Sequence, residues 1–315
     1  MQLLLDVVEI SSAEFGDQIV QVDGQICFNT LRTSLLFHQA GLMKESELKV
    51  FKCVTGMNAM FATVHLIANR SNRIVLESNS YDSKFTIPAA EKLAVVIYEL
   101  VKSHQFLVIY STEVTIALQL ERHFNLHKSH PHKLLDERNI SYYTNTKQRE
   151  ILEHSPIELP VGFEFGSLKA EDVEEILRDQ FACQSLDVDS ELIRYRMSAY
   201  PSAAIYDIET GRLASYQTVD GIGFISPKFT RCTYQTSGLC VPVEQLVAKT
   251  CWVEYGIVPA KTVSINSKLL LEFAERSKLW TKFTCSKGCA VLKQCMVLSK
   301  VAGHRLDFYE SCVNW

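Results

Sequence analysis

The chain has 315 residues, of which 47% are hydrophobic and 22% charged, and its formal net charge at pH 7 is -4. This length and composition are typical of a globular protein with two domains. The negative charge argues against general nucleic-acid binding, which requires a basic surface. No apolar run approaches the ~20 residues that span a bilayer, so we expect no membrane partner.

The N-terminal residues and the cysteines both indicate a cytoplasmic protein. Asp6 and Glu9 stand where a signal or transit peptide carries basic residues, so mitochondrial import through a presequence is not expected. Ten cysteines are too dilute for a disulfide framework, and without a secretory signal we expect reduced thiols.

Two groups of residues could supply metal ligands, but we predict no metal site at either. Cys285, Cys289 and Cys295 lack the second, distant pair of cysteines that is typical of structural zinc. Four histidines lie in or beside a polar stretch that contains a proline, which favours a solvated loop. They are His123, His127, His130 and His132.

The chain is predicted to divide at residue 158, into an N-terminal domain (1–157) and a C-terminal domain (158–315). Residues 154–160 contain two prolines and have mixed polarity, which is typical of a linker. A first strand is predicted over residues 162–168. A helix follows over 169–178, with its acidic residues early, where they suit the helix dipole.

The next segments predict a helix and then a meander of three strands. The helix covers residues 190–197, and strands are expected at 203–207, at 213–219 and within 221–230. Gly211 lies in the first hairpin turn, at the position that requires positive φ. Helices and strands in this order predict the α+β class.

A short loop at residues 235–240 separates the third strand from a helix predicted over 243–255. Backbone N–H groups in such a loop, with the positive end of the helix dipole behind them, favour a bound phosphate. Pro242 suits the first turn of the helix because its missing N–H has no partner there. After the helix at 243–255 we predict a strand at 259–266, a helix at 267–278 and strands at 283–285 and 290–298.

The spacing Gln235-x-x-Gly238-x-Cys240 resembles the Gln/Arg-x-x-Gly-x-Gly/Ala loop with which GNAT-superfamily acyltransferases hold the pyrophosphate of coenzyme A. Flanking segments resemble the glycine N-acyltransferase-like family in particular. Residues 158–163 resemble its "LPEGY", 200–202 its "FPS", 211–223 its "GxPVSW…TDxxG" hairpins and 263–273 its "NxxSxxLF". Together they cover about residues 158–285. Residues 54–57 and 65–70 resemble the hairpin "VYGAVxxINRGN" of the family's N-terminal half.

This resemblance implies a GNAT fold with a mixed central sheet flanked by helices, and an N-terminal lobe that is a degenerate copy of the same fold. It also implies acyl-CoA as cosubstrate and a small amino acid as acceptor. The residues that match the coenzyme-binding positions are Phe229, Thr230, Arg231, Gln235, Thr236, Ser237, Gly238, Leu239, Cys240, Asn266 and Phe273.

The catalytic positions of the family are altered in this chain. Phe224 stands where some members have a glutamate base, and Phe273 where many GNAT enzymes have a tyrosine that protonates the thiolate. Tyr234 and Ser264 are candidate replacements. Tyr216 and Asp220 are two further candidates. The tyrosines are also explained as packed aromatics and Asp220 as a turn former.

The first hypothesis is an acyl-CoA-dependent N-acyltransferase that acts on glycine or a similar amine by direct attack in a ternary complex. The alternative is a protein of the same fold that binds acyl-CoA or a partner and has lost catalysis, as Phe224, Phe273 and Cys240 suggest. A structural α/β protein without coenzyme would require several ordered matches to coincide by chance.

Overall fold

A computed structural model describes residues 5–43, 47–66, 72–182, 190–285 and 287–300. Strands occupy Val7–Ile10 (β1), Leu48–Thr55 (β2), Asn58–His65 (β3), Asn72–Ser78 (β4), Phe106–Glu113 (β5), His132–Tyr143 (β6), Phe163–Gly166 (β7), Ser202–Asp207 (β8), Leu213–Val219 (β9), Ile225–Thr230 (β10), Ala260–Ser264 (β11), Thr281–Lys282 (β12) and Leu292–Ser299 (β13). Helices occupy Phe15–Val22 (α1), Asn29–Gln39 (α2), Ser83–Val101 (α3), Val114–Leu126 (α4), Thr146–His154 (α5), Asp172–Ala182 (α6), Ser190–Ala199 (α7), Cys240–Tyr255 (α8) and Lys268–Arg276 (α9).

The chain forms two compact units. The first contains residues 5–141 and 284–300, and the second contains residues 142–283. The prediction from sequence divided the chain once, at residue 158. Residues 284–300 belong to the first unit because β13 pairs antiparallel with both β5 and β6. Within the described residues, no helix is long and apolar enough to span a membrane.

The first unit is a mixed sheet in the order β1-β2-β3-β4-β5-β13-β6. Its neighbours are antiparallel except β4 and β5, which are parallel. Helices α3 and α4 pack on the sheet through apolar residues three and four apart, including Leu93, Ile97, Leu120 and Phe124. The prediction of a hairpin at residues 54–57 is confirmed, since Gly56 has φ +58° between β2 and β3. Residues 67–70 of the second matching segment lie outside the described residues.

The second unit contains the antiparallel sheet β10-β9-β8-β7. Val173, Ile176 and Leu177 of α6 pack against Tyr206 and Tyr216 of this sheet. Helix α8 also packs on the sheet, against β8, β9 and β10. Strand β12 pairs antiparallel with the last two residues of β6, and β11 lies beside that same end.

Both units repeat one order of elements: strand, two helices, three strands, helix, strand, helix, strand. In the first unit this order extends from β1 to β6, and in the second from β7 to β12. Helix α5 lies between the two runs along the chain, and β13 follows the second run. The predicted α+β class, with a mixed sheet flanked by helices, is therefore confirmed. The three-strand meander also lies where predicted, and β9 has the predicted bounds because glycine turns delimit it on both sides.

The histidine-rich segment is an exposed turn, as its polarity predicted, except at His130. His130 is fully buried, and His123 lies in the last turn of α4. The rings of His123 and His127 are 4.6 Å apart, and Tyr98 lies 4.7 Å from His127. His123, His127 and His130 thus contact aromatic rings, although His127 is exposed.

Candidate functional site

The loop between β10 and α8 has the geometry of an anion cradle. A short 3-10 turn, Cys232–Tyr234, leads into it, and Gly238 adopts φ +76° immediately before the helix. That conformation is accessible to glycine without steric strain. A Cβ atom at Gly238 would meet nothing closer than Pro160 Cγ at 4.0 Å, so the space above the backbone is open.

Four consecutive backbone N–H groups are free to bind an anion there. They belong to Gly238, Leu239, Cys240 and Val241, and no acceptor among the described residues takes a hydrogen bond from them. The helix begins at Cys240, three residues before the predicted start, and the N–H of Val243 is the first to donate backward, to Leu239 O at 3.2 Å. The open N–H groups carry the positive end of the α8 dipole.

The edge of β10 that faces away from β9 is also open. Strand β10 is the last strand of its sheet and meets β11 through a single parallel bridge, Phe224–Ala260. A register shift lies between Ile225 and Lys228, where β10 bulges. Beyond this bulge no described residue of β10 pairs with β11, and we call this unpaired edge of β10 the wedge.

The wedge can accept the amide groups of an extended ligand. The N–H of Arg231 donates to Ala214 O on β9. Because the N–H and C=O groups of successive residues in an antiparallel strand point to opposite sides, those of Lys228 and Thr230 point away from β9. A pantetheine arm has two amides, which suit such an edge. The cradle and the wedge could therefore together hold an anion and an extended arm that carries amide groups.

A buried cluster of charges lies between the two strands and α8. The Glu244 carboxylate pairs with Lys261 Nζ at 2.8 Å and with Lys228 Nζ at 3.5 Å. Burial alone would raise the pKa of Glu244, but the two ammonium groups lower it. Burial would lower the pKa of Lys228, yet Glu244 and Cys240 outweigh it and raise that pKa. For Lys261 burial prevails and the pKa is lowered.

Sequence reasoning missed this cluster. Its members come from β10, α8 and β11, and a charged residue in each of these elements does not by itself predict that the three meet. Lys261 Nζ also lies 4.6 Å from the centroid of the Trp280 ring, which contributes a cation–π contact.

The predicted coenzyme-binding residues of β10 have side chains directed at the protein. The Phe229 ring packs against Tyr216 with centroids 5.7 Å apart, and Thr230 Oγ1 lies 2.8 Å from Ser215 Oγ. Arg231 pairs with Glu175 at 2.8 Å. Thr230 can therefore contact a ligand in the wedge through its backbone, whereas the backbone of Phe229 and Arg231 faces β9.

The remaining loop residues are partly or fully exposed, except Leu239. Gln235 and Thr236 are exposed, and Gln235 Nε2 donates to Cys232 Sγ at 3.8 Å. Ser237 is half-buried, and its N–H donates to Tyr234 O. The Cys240 thiol is exposed at the first residue of α8, and Leu239 is buried beside it.

The two candidate catalytic residues are both engaged in local structure. Tyr234 packs edge-on against Phe163 at 5.6 Å. Its hydroxyl is also a minor cause, after the backbone N–H of Thr210, of the lowered pKa of Asp207. Ser264 is buried at the end of β11, where its Oγ accepts the N–H of the exposed Asn266 at 3.3 Å.

Asp220 does not replace the glutamate base that is absent at position 224. Asp220 is buried, and one carboxylate oxygen accepts the N–H groups of Ile222 and Phe224 at 3.1 and 2.9 Å. These bonds close the hairpin turn, as expected of a turn former. Tyr216 is a packed aromatic within the core of the second unit.

An exposed apolar strip follows β11. Phe273 is 62% exposed and Leu269 64%, one helical turn apart on α9, with Ile265 just before the helix. The buried side of α9 is formed instead by Ala274 and its neighbours. An acyl chain or pantetheine arm would find apolar contact on this strip.

Metal ligands are not grouped in the described part of the chain. No set of three or more His, Cys, Asp or Glu side chains there could hold a metal ion. Cys295 is buried in β13, while Cys285 and Cys289 lie on the hairpin that precedes it.

Comparisons with known proteins identify the fold. No protein-family model matches the chain, and no curated protein sequence matches it either. A solved structure of a Drosophila protein is similar over 93% of this chain and 98% of its own, with a TM-score of 0.71 and 11% identity. A putative acetyltransferase from Pyrococcus horikoshii is similar over 99% and 94%, with a TM-score of 0.51 and 11% identity.

A tandem GNAT protein from the clavulanic acid biosynthesis pathway is also similar, over 95% of this chain and 99% of its own, with a TM-score of 0.49 and 9% identity. Identities this low show the fold alone. The chain has the GNAT acyltransferase fold, and the order of elements occurs twice within it.

Proposed function

We propose that the protein is an acyl-CoA-dependent N-acyltransferase whose acceptor is the amine of glycine or a similar small amino acid. One observation carries the proposal: the open N–H groups of residues 238–241 adjoin the unpaired edge of β10. Coenzyme A likewise carries a pyrophosphate next to a pantetheine arm. The amino acid acceptor is supported by the resemblance of residues 158–285 to the glycine N-acyltransferase-like family.

The reaction would be direct attack by the acceptor amine on the thioester carbonyl in a ternary complex. The chain's own contribution is to hold the coenzyme and orient its thioester along β10, which lowers the entropic part of the barrier. Backbone N–H groups on that edge can also stabilise the developing oxyanion. Since Asp220 is committed to its turn, the ammonium proton of the acceptor would leave to water.

A second candidate function is acyl-CoA binding without transfer. Phe224 and Phe273 can neither accept nor donate a proton, and Tyr234 and Ser264 are held in local contacts. These observations favour a protein that retains the coenzyme site alone.

Coenzyme A binding and thiol release separate the two functions. Binding is measured by calorimetry, with pantetheine as the control ligand that lacks the pyrophosphate. Release of free thiol is then followed with acetyl-CoA, a longer acyl-CoA and a panel of amino acids. We expect binding and release with glycine or a close analogue. Binding without release across the panel would leave the second function, and no binding would refute both.

A further inference from the structure

The buried cluster of Lys228, Glu244 and Lys261 carries more positive than negative charge. Among the described residues, two ammonium groups face this one carboxylate. The N-terminus of α8 adds the positive end of a helix dipole nearby. A buried charge without a partner is costly, so such a surplus favours a bound anion.

The two lysines are not equivalent. Lys261 makes the shorter contact with Glu244, 2.8 Å, and its side chain is 14% exposed beside Trp280. Lys228 makes a longer contact, 3.5 Å, and its side chain is 25% exposed. Lys228 is therefore the cation that can be shared with a ligand.

Lys228 also reaches the cradle. Its ammonium group lies 3.5 Å from the Glu244 carboxylate, and Glu244 follows Cys240 by about one turn of α8. The N–H of Cys240 is one of the four open groups of the loop. No lysine or arginine occurs between residues 232 and 241, and Arg231 is paired with Glu175. Within the stretch from β10 to the first turn of α8, Lys228 is thus the lysine that can share its ammonium group with a ligand of residues 238–241.

We propose that Lys228 binds the diphosphate anion held by residues 238–241 and exchanges part of its contact with Glu244 for a contact with that anion. The proposal rests on the proposed function and deepens it, since it adds a side-chain determinant to a loop that otherwise offers backbone groups. Lys261 stays on Glu244 when the anion binds and keeps that carboxylate neutralised.

Lys228→Met tests the proposal because it leaves the Lys261–Glu244 pair balanced, so the variant should fold. The probes are inorganic pyrophosphate, coenzyme A and pantetheine. We expect the affinity for pyrophosphate and for coenzyme A to fall about tenfold or more, as for loss of a charge-assisted hydrogen bond. The affinity for pantetheine should not change.

Two further variants sharpen the result. Glu244→Gln removes the carboxylate that competes for Lys228, and we expect it to bind pyrophosphate more tightly. Lys147→Met, on the exposed surface of α5, removes the same charge as Lys228→Met and should bind like the wild type. Thermal unfolding of every variant reports whether it is folded.

The outcomes distinguish this inference from the proposed function. Unchanged pyrophosphate affinity in Lys228→Met overturns the inference, and so does an equal loss in Lys147→Met. Pyrophosphate binding that depends on Lys228, in a wild type that does not bind coenzyme A, supports the inference and refutes the proposed function. A wild type that binds neither ligand overturns both.

Discussion

Each unit has a strand that leads through a short connection into a helix, and the two connections differ in every property that matters to an anion. In the first unit, residues 79–82 join β4 to α3. The Asp82 side chain caps the helix by accepting the N–H of Lys84 at 3.0 Å, and Ser78 and Ser80 hydroxyls accept the N–H groups of Ser80 and Asp82. In the second unit, residues 231–239 contain no acid, and no side chain caps α8.

The strands beside the two connections differ in the same sense. Strands β4 and β5 form three parallel pairs, and the Leu76 N–H is then taken by Thr112 Oγ1 at 3.0 Å. Between β10 and β11 the described residues form one bridge, Phe224–Ala260, and none beyond it. In the first unit, the backbone N–H groups beside the connection thus find acceptors within the protein. In the second unit, the corresponding N–H groups are left open to a ligand. The difference supports the proposal that the coenzyme site lies in the second unit.

The largest expected effect is loss of coenzyme A binding in Gly238→Val. A β-branched residue is strained at φ +76°, and its side chain would occupy the open cradle. We expect the affinity for coenzyme A to fall about a hundredfold or more, measured by calorimetry. Gly211→Val is the matched control, because Gly211 has φ +67° in a turn of the same unit. It should lose similar stability and still bind; equal loss of binding in both variants would refute the loop assignment.

The next effect concerns the closed strands of the first unit. Thr112→Val removes the acceptor of the Leu76 N–H without changing the size of a fully buried side chain. We expect the free energy of unfolding to fall by about 2 kcal/mol, because a buried N–H loses its partner. Urea unfolding measures this. Coenzyme A binding should be unchanged, and the exposed control Thr115→Val should have little effect on stability. Weaker coenzyme A binding in Thr112→Val would contradict a site confined to the second unit.

A charge placed in the first turn of α8 should separate helix stability from ligand binding. Val241 is 58% exposed there. Val241→Asp should stabilise the helix through its dipole while it weakens coenzyme A binding about tenfold, and Val241→Lys should do the reverse. Val253→Asp, 52% exposed and near the other end of α8, should leave binding unchanged. If Val241→Asp and Val241→Lys changed the affinity for coenzyme A in the same direction, the anion would lie elsewhere.

The sequence predicted the meander and the loop because glycine turns and alternating side chains are local signals. It did not predict that β13 belongs to the first unit, since consecutive elements usually lie together and this strand pairs far back in the chain. Nor could it predict that Lys228, Glu244 and Lys261 converge, because their contacts depend on how α8 packs on the two strands.

The smallest expected effect is a loss of stability of the first unit in mild acid. Burial lowers the pKa of His130 from 6.5 to about 4, while the unfolded chain binds its proton near 6.5. Acidification through this window therefore favours the unfolded state, and His130 should cost about 1 kcal/mol between pH 7 and pH 5.5.

Urea unfolding at the two pH values measures the effect by circular dichroism, and His130→Gln should remove that part of the pH dependence whatever its own stability. Of the three tryptophans, Trp252 and Trp280 lie in the second unit, so in a Trp315→Phe background their fluorescence reports that unit separately. The fluorescence-detected pH dependence should be the same in wild type and variant. If His130→Gln kept the full pH dependence by circular dichroism, the buried ring would not be the group that titrates, and the acid sensitivity of the first unit would have another source.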